Sequence, residues 1–259
     1  MRRSSQRSRP GGDWFAPALP RLLAHRGLAI NTPENTIESF ASAMNVGACY
    51  LETDVHASKD GVAMLSHDPV LDRVAGVRGD VESLTVSELK LLDLGGGHRM
   101  PTLEEALDAF PRARFNIDVK SPRAAPAIAK AVLDAGATHR VLITSFSSRR
   151  RAHAVRLIPG VASSASSPRV IVLLALAQLG ILHRVPLAAR GIQAVQVPAR
   201  TRHFEIATPR LIRAFHRVGL EMHVWTVNEP AEMARLLALG VDGLVSDRVD
   251  YALDLLRQG

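Results

Sequence analysis

Cysteine and aromatic residues are scarce in this sequence of 259 residues, and each scarcity excludes a class of protein. The single cysteine, Cys49, excludes an internal disulfide framework and any cysteine-based zinc or iron–sulfur site. It is compatible with a reducing compartment, and we expect a cytoplasmic location. Aromatic residues make up 4% of the chain, too few for the interleaved basic and aromatic residues typical of nucleic-acid binding. We therefore expect no nucleic-acid partner, although the formal net charge is +7.

Long apolar runs are also missing. The longest, over residues 170–182, has about 13 residues and is interrupted by Gln178 and Gly180, whereas a helix that spans a bilayer needs about 20. We expect no transmembrane segment, and contact with a membrane surface stays compatible with the sequence. Residues 1–20 are rich in Arg, Ser, Gly and Pro and have no apolar region of the secretory-signal type. This segment is predicted to be a flexible N-terminal arm.

What the sequence does contain is a regular alternation of short apolar runs and longer runs with helical spacing. The short runs predict buried parallel strands, and the longer runs predict the helices that follow them. The predicted strands are at residues 22–25, 49–54, 114–119, 141–144, 161–164, 194–197, 221–226 and 242–246. The predicted helices are at residues 35–46, 103–109, 124–135, 147–157, 168–182, 209–218, 230–239 and 251–257.

Eight strand–helix units predict an α/β fold of the (β/α)8 TIM barrel type, which needs about 250 residues. A doubly wound open sheet is the alternative, but its glycine-rich dinucleotide fingerprint is absent, since Gly27 stands alone after the first strand. The stretch at about 56–100 is too long for a simple loop and is predicted to be a small insertion after the second strand. One barrel domain is thus expected over residues 21–259, after the arm.

Ionisable residues gather at the carboxyl ends of the predicted strands, the face that carries the active site in such barrels. The residues found there, or in the insertion above, are His25, Arg26, Glu52, Asp54, His67, Asp118, Lys120 and Trp225. Because Glu52 and Asp54 are two apart on a strand, their side chains point to the same face. Together with Asp118 they suit a hard divalent cation such as Mg²⁺ or Ca²⁺. A network of ion pairs with Arg26 and Lys120 is the alternative interpretation.

Two histidines beside a carboxylate cluster indicate acid–base chemistry. His25 and His67 can serve as general base and general acid on opposite sides of a reacting centre. Arg26 and Lys120 suit an anion with several oxygens, such as a phosphate. Neither a G-x-S-x-G nucleophile elbow nor a Walker phosphate loop is present. The set therefore favours phosphoester cleavage over hydride or acyl transfer.

These residues lie in a series of short motifs with a specific order and spacing. The motifs are His25-Arg26-Gly27, Pro33-Glu34-Asn35-Thr36, Glu52-Thr53-Asp54-Val55, His67-Asp68, Leu84-Thr85 with Glu88-Leu89, Pro101-Thr102-Leu103-Glu104-Glu105, Asn116-Ile117-Asp118-Val119-Lys120, Ser145-Phe146, Trp225-Thr226-Val227-Asn228 and Gly240-Val241-Asp242-Gly243. Over residues 22–247 the chain thereby resembles the glycerophosphodiester phosphodiesterase family. The resemblance implies a (β/α)8 barrel with a small insertion, which hydrolyses small-molecule glycerophosphodiesters to sn-glycerol 3-phosphate and an alcohol with a divalent metal.

The resemblance also implies a role for each site residue. His25 and His67 resemble the general acid–base pair, and Glu52 and Asp54 resemble metal ligands. Asp118 stands where the family usually has Glu, and this shorter carboxylate can still bind the metal, through water or with the cation shifted. The further positions implied are a phosphate-binding pair (Arg26 and Lys120), a glycerol-side wall (Trp225 and Phe146) and residues that support the site (Glu34 and Asn35).

Several alternatives stay open at this point. Core packing is the other interpretation of Trp225. After the last strand, Asp247 is followed by Arg248, where the family often has Pro nearby. The apolar, basic segment at residues 166–190 is either an entrance for a lipid-like group or a plain helix and loop.

A lysophospholipase D acting at a membrane surface is the alternative function, and a non-catalytic binding protein is a third. The attacking oxygen belongs to water or to the glycerol 2-hydroxyl, which would give a cyclic phosphate. The sequence indicates no oligomeric state.

Overall fold

Strands and helices alternate along the chain in the way the apolar pattern predicts. The computed structural model describes residues 12–202 and 204–258. The strands are β1 (Arg21–His25), β2 (Tyr50–Ala57), β3 (Ala63–Leu65), β4 (Arg114–Val119), β5 (Val141–Thr144), β6 (Ala162–Ser163), β7 (Ala194–Pro198), β8 (Glu221–Trp225) and β9 (Gly243–Ser246). The α-helices are α1 (Ile37–Asn45), α2 (Asp72–Ala75), α3 (Val86–Leu89), α4 (Leu103–Ala109), α5 (Ala124–Asp134), α6 (Ser148–Leu157), α7 (Ser167–Gln178), α8 (Pro209–Arg217), α9 (Pro230–Ala238) and α10 (Val249–Gln258).

All strands except β3 form one nearly closed parallel barrel. Their hydrogen-bonded order is β6–β5–β4–β2–β1–β9–β8–β7, so the first and last strands of the chain lie side by side. Between β6 and β7 a parallel bridge joins Ser164 to Ala194. The prediction of a TIM barrel is confirmed, and the chain does not form the alternative open sheet.

The strand register brings the predicted site residues to one end of the barrel. His25 at the end of β1 lies opposite Glu52 on β2. On the other side of β2, Asp54 lies opposite Asp118 on β4. Because these strands are parallel, their carboxyl ends meet at the same mouth.

Side-chain caps explain several helix starts. The Thr102 hydroxyl accepts a hydrogen bond from the backbone N–H of Glu105 and the Glu105 carboxylate bonds back to Thr102, the capping box that the sequence predicts for α4. Thr208 caps α8, which begins with Pro, as predicted. Helix α1 begins at residue 37 rather than at 35, because Thr36 is in an extended conformation and caps the helix from outside.

The segment between β2 and α4 is a small unit of its own, which confirms the predicted insertion. Strand β2 continues to Ala57, beyond the predicted end at residue 54, because β3 pairs antiparallel with its last residues. Helices α2 and α3 follow. A separate apolar cluster holds the unit together, and its buried members are Met64, Leu71, Val81, Leu89 and Met100.

The N-terminal segment closes the opposite end of the barrel. Residues 1–11 of the predicted flexible arm lie outside the described residues. Trp14, also within the predicted arm, is fully buried, and its indole N–H donates to the carbonyl of Phe115 at 3.1 Å. Arg21, at the start of β1, binds the Glu221 carboxylate at 2.6 Å and the Tyr50 hydroxyl at 2.7 Å. Residue 14 is therefore anchored rather than free, because an indole both fills the barrel floor and satisfies a backbone carbonyl there.

Helix α7 is shorter than the sequence predicts. It ends at Gln178 instead of continuing to 182, because Gly180 takes a φ of 74°, a left-handed conformation that ends helices. Among the described residues, no helix is both long enough and apolar enough to cross a bilayer.

Candidate active site

A cavity of about 410 Å³ opens at the carboxyl ends of the barrel strands. The predicted site residues that line it are His25, Arg26, Glu52, Asp54, His67, Asp118, Lys120, Phe146 and Trp225. Glu34 and Asn35 lie behind this wall, where Glu34 accepts a hydrogen bond from Arg26 at 3.1 Å and Asn35 donates to Asp54 at 3.3 Å. The fold thus brings together all the residues that the sequence singled out.

Two carboxylates and two cations form the base of the cavity. Lys120 Nζ lies 2.8 Å from Asp54 Oδ1 and 2.7 Å from Asp118 Oδ2. Arg26 Nε lies 3.0 Å from Asp54 Oδ2. Burial alone would raise the pKa of Asp54, but Lys120 and Arg26 more than offset this and lower it. Asp54 is therefore held as a carboxylate between two cations, much as the ion-pair interpretation of the sequence expects.

Glu52 differs from Asp54, although both lie on β2. Its carboxylate is buried and lies 3.9 Å from Nε2 of His25. Burial and the neighbouring charge of Asp54 raise the pKa of Glu52 to about 8. Glu52 Oε2 also accepts a hydrogen bond from the backbone N–H of Arg26 at 3.1 Å. A positive charge placed beside this acid would favour its ionised form.

His25 is oriented by a carboxylate that directly follows the last barrel strand. Its Nδ1 lies 2.6 Å from Asp247 Oδ1. Asn228 fixes Asp247, since its amide donates to Oδ2 at 2.7 Å and its oxygen accepts from the Asp247 backbone N–H at 2.9 Å. Burial lowers the pKa of His25, but the hydrogen bond to Asp247 and the charge of Glu52 raise it overall. Nδ1 is thereby committed to Asp247, and Nε2 is left on the side of Glu52.

His67 has a similar arrangement in the insertion. Its Nδ1 lies 2.6 Å from Asp68 Oδ1. Arg73 bonds to the other oxygen of Asp68 and also donates to Glu34 at 2.6 Å. Because Glu34 in turn accepts from Arg26, a continuous chain of charged hydrogen bonds joins the His67 side of the cavity to the first strand.

A tight turn after β1 makes this packing possible. Arg26 and Asn35 have φ values of 55° and 56°, in the left-handed region that most side chains avoid. Gly27 follows with a φ of 86°, and a Cβ there would collide with Ser39 of α1. Asn35 is held in place by Thr53, whose hydroxyl donates to its side-chain oxygen at 2.7 Å. The turn thus needs glycine at position 27 to direct Arg26 into the cavity.

The other side of the cavity is apolar. Phe146 and Trp225 pack edge to face with ring centroids 5.9 Å apart. Val170, Ile171 and Leu174 of α7 extend the same wall. The segment at residues 166–190, left open by the sequence, therefore lines the entrance with its first turns.

The donor set suits a hard divalent cation in kind. Glu52, Asp54 and Asp118 offer only carboxylate oxygens, which Mg²⁺ and Ca²⁺ prefer. Oδ1 of Asp118 is buried and has no hydrogen-bond partner within residues 12–202 and 204–258, which leaves a buried acceptor that a bound ion could satisfy. In that part of the chain no group of three or more His, Cys, Asp or Glu side chains is arranged so that it could hold a metal ion as it stands, and Asp54 and Asp118 share Lys120 instead. The donor types and the unpaired oxygen fit such a cation.

Sequence reasoning missed several residues that hold the site. Asp247, Asn228 and Asp68 orient the two histidines, and none of them was predicted as a site residue. Asn116 and Gln196 line the cavity and are joined by a hydrogen bond of 2.8 Å. The rule that strand ends carry the site would have found Asp247, because it directly follows β9.

A parallel barrel with two carboxylate-bound histidines, buried acids and two cations at its carboxyl mouth indicates a class, the phosphoester hydrolases. The comparison with known families gives the particular member of this class. The chain belongs to the glycerophosphoryl diester phosphodiesterase family, whose model matches residues 25–251. It is accordingly a phosphoric diester hydrolase, as the sequence motifs predict.

Individual relatives agree with this assignment. The chain is 39% identical over 236 residues to a probable glycerophosphodiester phosphodiesterase 2 of Mycobacterium tuberculosis, covering 90% of this chain and 89% of that protein. It is 30% identical over 255 residues to a glycerophosphodiester phosphodiesterase of Caldanaerobacter subterraneus, covering 92% and 98%. The crystal structure of a glycerophosphodiester phosphodiesterase from Agrobacterium tumefaciens superposes with a TM-score of 0.74 at 27% identity, covering 91% of this chain and all of that one.

Proposed function

We propose that the chain hydrolyses glycerophosphodiesters to sn-glycerol 3-phosphate and an alcohol, with His25 and His67 as the acid–base pair and with a divalent cation. One observation carries the proposal: two histidines, each bound through Nδ1 to its own carboxylate, line one cavity with buried acids and cations. This arrangement supports proton transfer beside a bound phosphate.

Arg26 and Lys120 are proposed to bind the phosphate oxygens. Both line the cavity and both lie against Asp54, so their charged ends are held in place before substrate arrives. Burial lowers the pKa of Lys120, but Asp54 and Asp118 more than offset this and raise it. The ammonium group is therefore charged at neutral pH and can stabilise the negative charge that develops on the phosphate.

His25 and His67 are proposed to move the protons. With Nδ1 of each ring bound to a carboxylate, the Nε2 atoms are left to exchange protons with substrate. One histidine removes the proton from the attacking oxygen, and the other protonates the departing alcohol. The attacking oxygen is that of water, or that of the glycerol 2-hydroxyl with a cyclic phosphate as the first product.

Glu52, Asp54 and Asp118 are the residues that would hold Mg²⁺ or Ca²⁺. When bound, such a cation supplies a Lewis acid that neutralises phosphate charge. Trp225 and Phe146, packed edge to face, are proposed to enclose the glycerol side of the substrate and to exclude water from it.

Product analysis tests the proposal. The purified chain is incubated with glycerophosphocholine and glycerophosphoethanolamine, with and without a chelator, and sn-glycerol 3-phosphate is measured enzymatically. We expect release of sn-glycerol 3-phosphate that the chelator abolishes and that added Mg²⁺ or Ca²⁺ restores. Phosphorus NMR of the same reaction would show a cyclic phosphate if the 2-hydroxyl attacks. Turnover unaffected by the chelator would refute the metal, and no turnover of either substrate would refute the activity.

Lysophospholipids are a second candidate substrate, because one specific observation favours them. The apolar wall of the cavity extends away from Arg26 and Lys120 along α7 and includes Val170, Ile171, Leu174 and Phe204. This wall offers more apolar surface than a bare glycerol needs. An acyl chain on the glycerol would lie along this wall. Including lysophosphatidylcholine in the substrate panel tests this, with lysophosphatidic acid as the expected product.

A further inference from the structure

The loops after β5, β6 and β7 form a rim around one side of the cavity mouth. Its exposed side chains, which we call the apolar–basic rim, are Phe146, Arg149, Ile171, Val172, Arg202 and Phe204. Ile171 is 67% exposed, Phe146 54% and Phe204 49%. Large apolar side chains that face solvent together in this way mark an interaction surface more often than single scattered ones do.

The rim is continuous with the cavity. Phe146, Ile171 and Phe204 line the cavity and are exposed at the same time. Val172, 52% exposed, lies next to Ile171 on the outer side of α7. A surface or molecule that covers the apolar–basic rim would therefore also cover the entrance to the cavity with its charged residues.

The parts of these loops and helix starts nearest the rim carry charge of one sign, and Glu205, farther along the loop after β7, pairs with Arg235. Residues 145–151, 164–172 and 198–204 contain no Asp or Glu, and their arginines are Arg149, Arg150, Arg151, Arg169, Arg200 and Arg202. Arg149 and Arg202 are exposed, and within the described ranges neither forms an ion pair. Exposed apolar groups interleaved with unpaired cations are the features of a surface that lies on an anionic bilayer.

We propose that the apolar–basic rim docks the barrel mouth onto an anionic membrane surface. The apolar side chains enter the boundary between headgroups and acyl chains, and the arginines lie among anionic headgroups. Aliphatic Ile171 and Val172 suit lipid rather than the stacked bases of a nucleic acid. The inference rests on the proposed function only for what docking achieves, the delivery of a lipid substrate into the cavity; docking itself is measured without turnover.

Vesicle sedimentation tests the docking. The full chain is mixed with vesicles of phosphatidylcholine alone, or of phosphatidylcholine with about 30% phosphatidylglycerol to give an anionic surface. We expect binding to the anionic vesicles that weakens with added salt, and little binding to the neutral ones. The variant carrying Arg149→Glu, Val172→Glu and Arg202→Glu should lose about tenfold or more in partitioning, while its turnover of soluble glycerophosphocholine stays unchanged.

A matched control separates the rim from net charge. Arg112 and Arg217 are exposed and lie at the opposite end of the barrel, just before β4 and before β8. The variant Arg112→Glu and Arg217→Glu carries the same change at two arginines but should sediment like the unmodified chain. Equal losses in both variants, no sedimentation of the unmodified chain, or displacement by an oligonucleotide at lower concentration than by anionic lipid would each overturn the docking proposal. The proposed hydrolysis would stand in all three cases, because glycerophosphocholine turnover is assayed without vesicles.

Discussion

The two sides of the cavity mouth are built on different principles. On the side of β1, β9 and the insertion, His25, Asp247, His67 and Asp68 are joined to neighbours by short, charged hydrogen bonds. On the side of β5, β6 and β7, the apolar–basic rim is exposed and its apolar side chains cannot form hydrogen bonds. The difference teaches where precision is needed: proton transfer tolerates little displacement, whereas an apolar substituent accepts many positions.

The largest loss of activity is expected from His67→Ala, on the side of the mouth with the charged hydrogen bonds, which we call the ionic side. Loss of a general acid or base should lower kcat about 10²–10⁴-fold, measured with glycerophosphocholine. His98→Ala is the matched control, because His98 also lies in the insertion but pairs with Glu38 and does not line the cavity. Near-normal turnover of His67→Ala would mean that His67 is not a catalytic proton donor or acceptor.

Asp247→Asn should have the next largest effect. Loss of the carboxylate removes the hydrogen bond that orients His25 and should lower kcat about 10–100-fold. Because Asp247 raises the pKa of His25, its loss lowers that pKa, and the limb of the pH–rate profile due to His25 should move to lower pH. Asp250→Asn, the same change at a residue paired with Arg248, should move neither. A lower rate with an unmoved limb would show that Asp247 is structural only.

On the apolar side the effects should be smaller and should depend on substrate. Ile171→Ser should lower kcat/KM for lysophosphatidylcholine about threefold to tenfold, because the acyl chain would then bury less apolar surface against α7. The value for glycerophosphocholine, which has no acyl chain, should change less. The ratio of the two values is the measurement. An equal fall with both substrates would erase the distinction between the two sides of the mouth.

Arg73→Ala should have the smallest effect. Arg73 bridges Asp68 and Glu34 but is half exposed, and exposed ion pairs contribute about 0–1 kcal/mol. We expect kcat to fall less than about fivefold, with partial recovery in Arg73→Lys. A loss as large as that of His67→Ala would show that the charged chain from Asp68 to Arg26 acts as one rigid unit.

Much of the fold was predictable because each element carries a local signal. The short apolar runs and the caps at Thr102 and Thr208 are read within a few residues, and each appears in the structure. The motif residues could be predicted to meet because parallel strands end at the same mouth. Trp14 was missed because its burial depends on a barrel floor assembled from strands far away in the sequence.

The orienting residues were harder to predict for a related reason. The bond between His25 and Asp247 joins positions 222 apart, and no local pattern relates them. The role of α7 was also left open, since an apolar helix buries or exposes its surface according to the loops beside it. Which side chains of α7 reach the cavity became visible only with β6 and β7 in place.

The pairing of the first strand with the last has a consequence for when activity arises. His25 is synthesised early, in the first strand, but its hydrogen-bond partner Asp247 follows β9, the last strand, and is synthesised late. A nascent chain or a proteolytic fragment that ends before β9 lacks Asp247, the carboxylate that orients His25, even if the rest of the barrel has formed. We therefore expect a fragment that ends before β9 to hydrolyse glycerophosphocholine no faster than the Asp247→Asn variant.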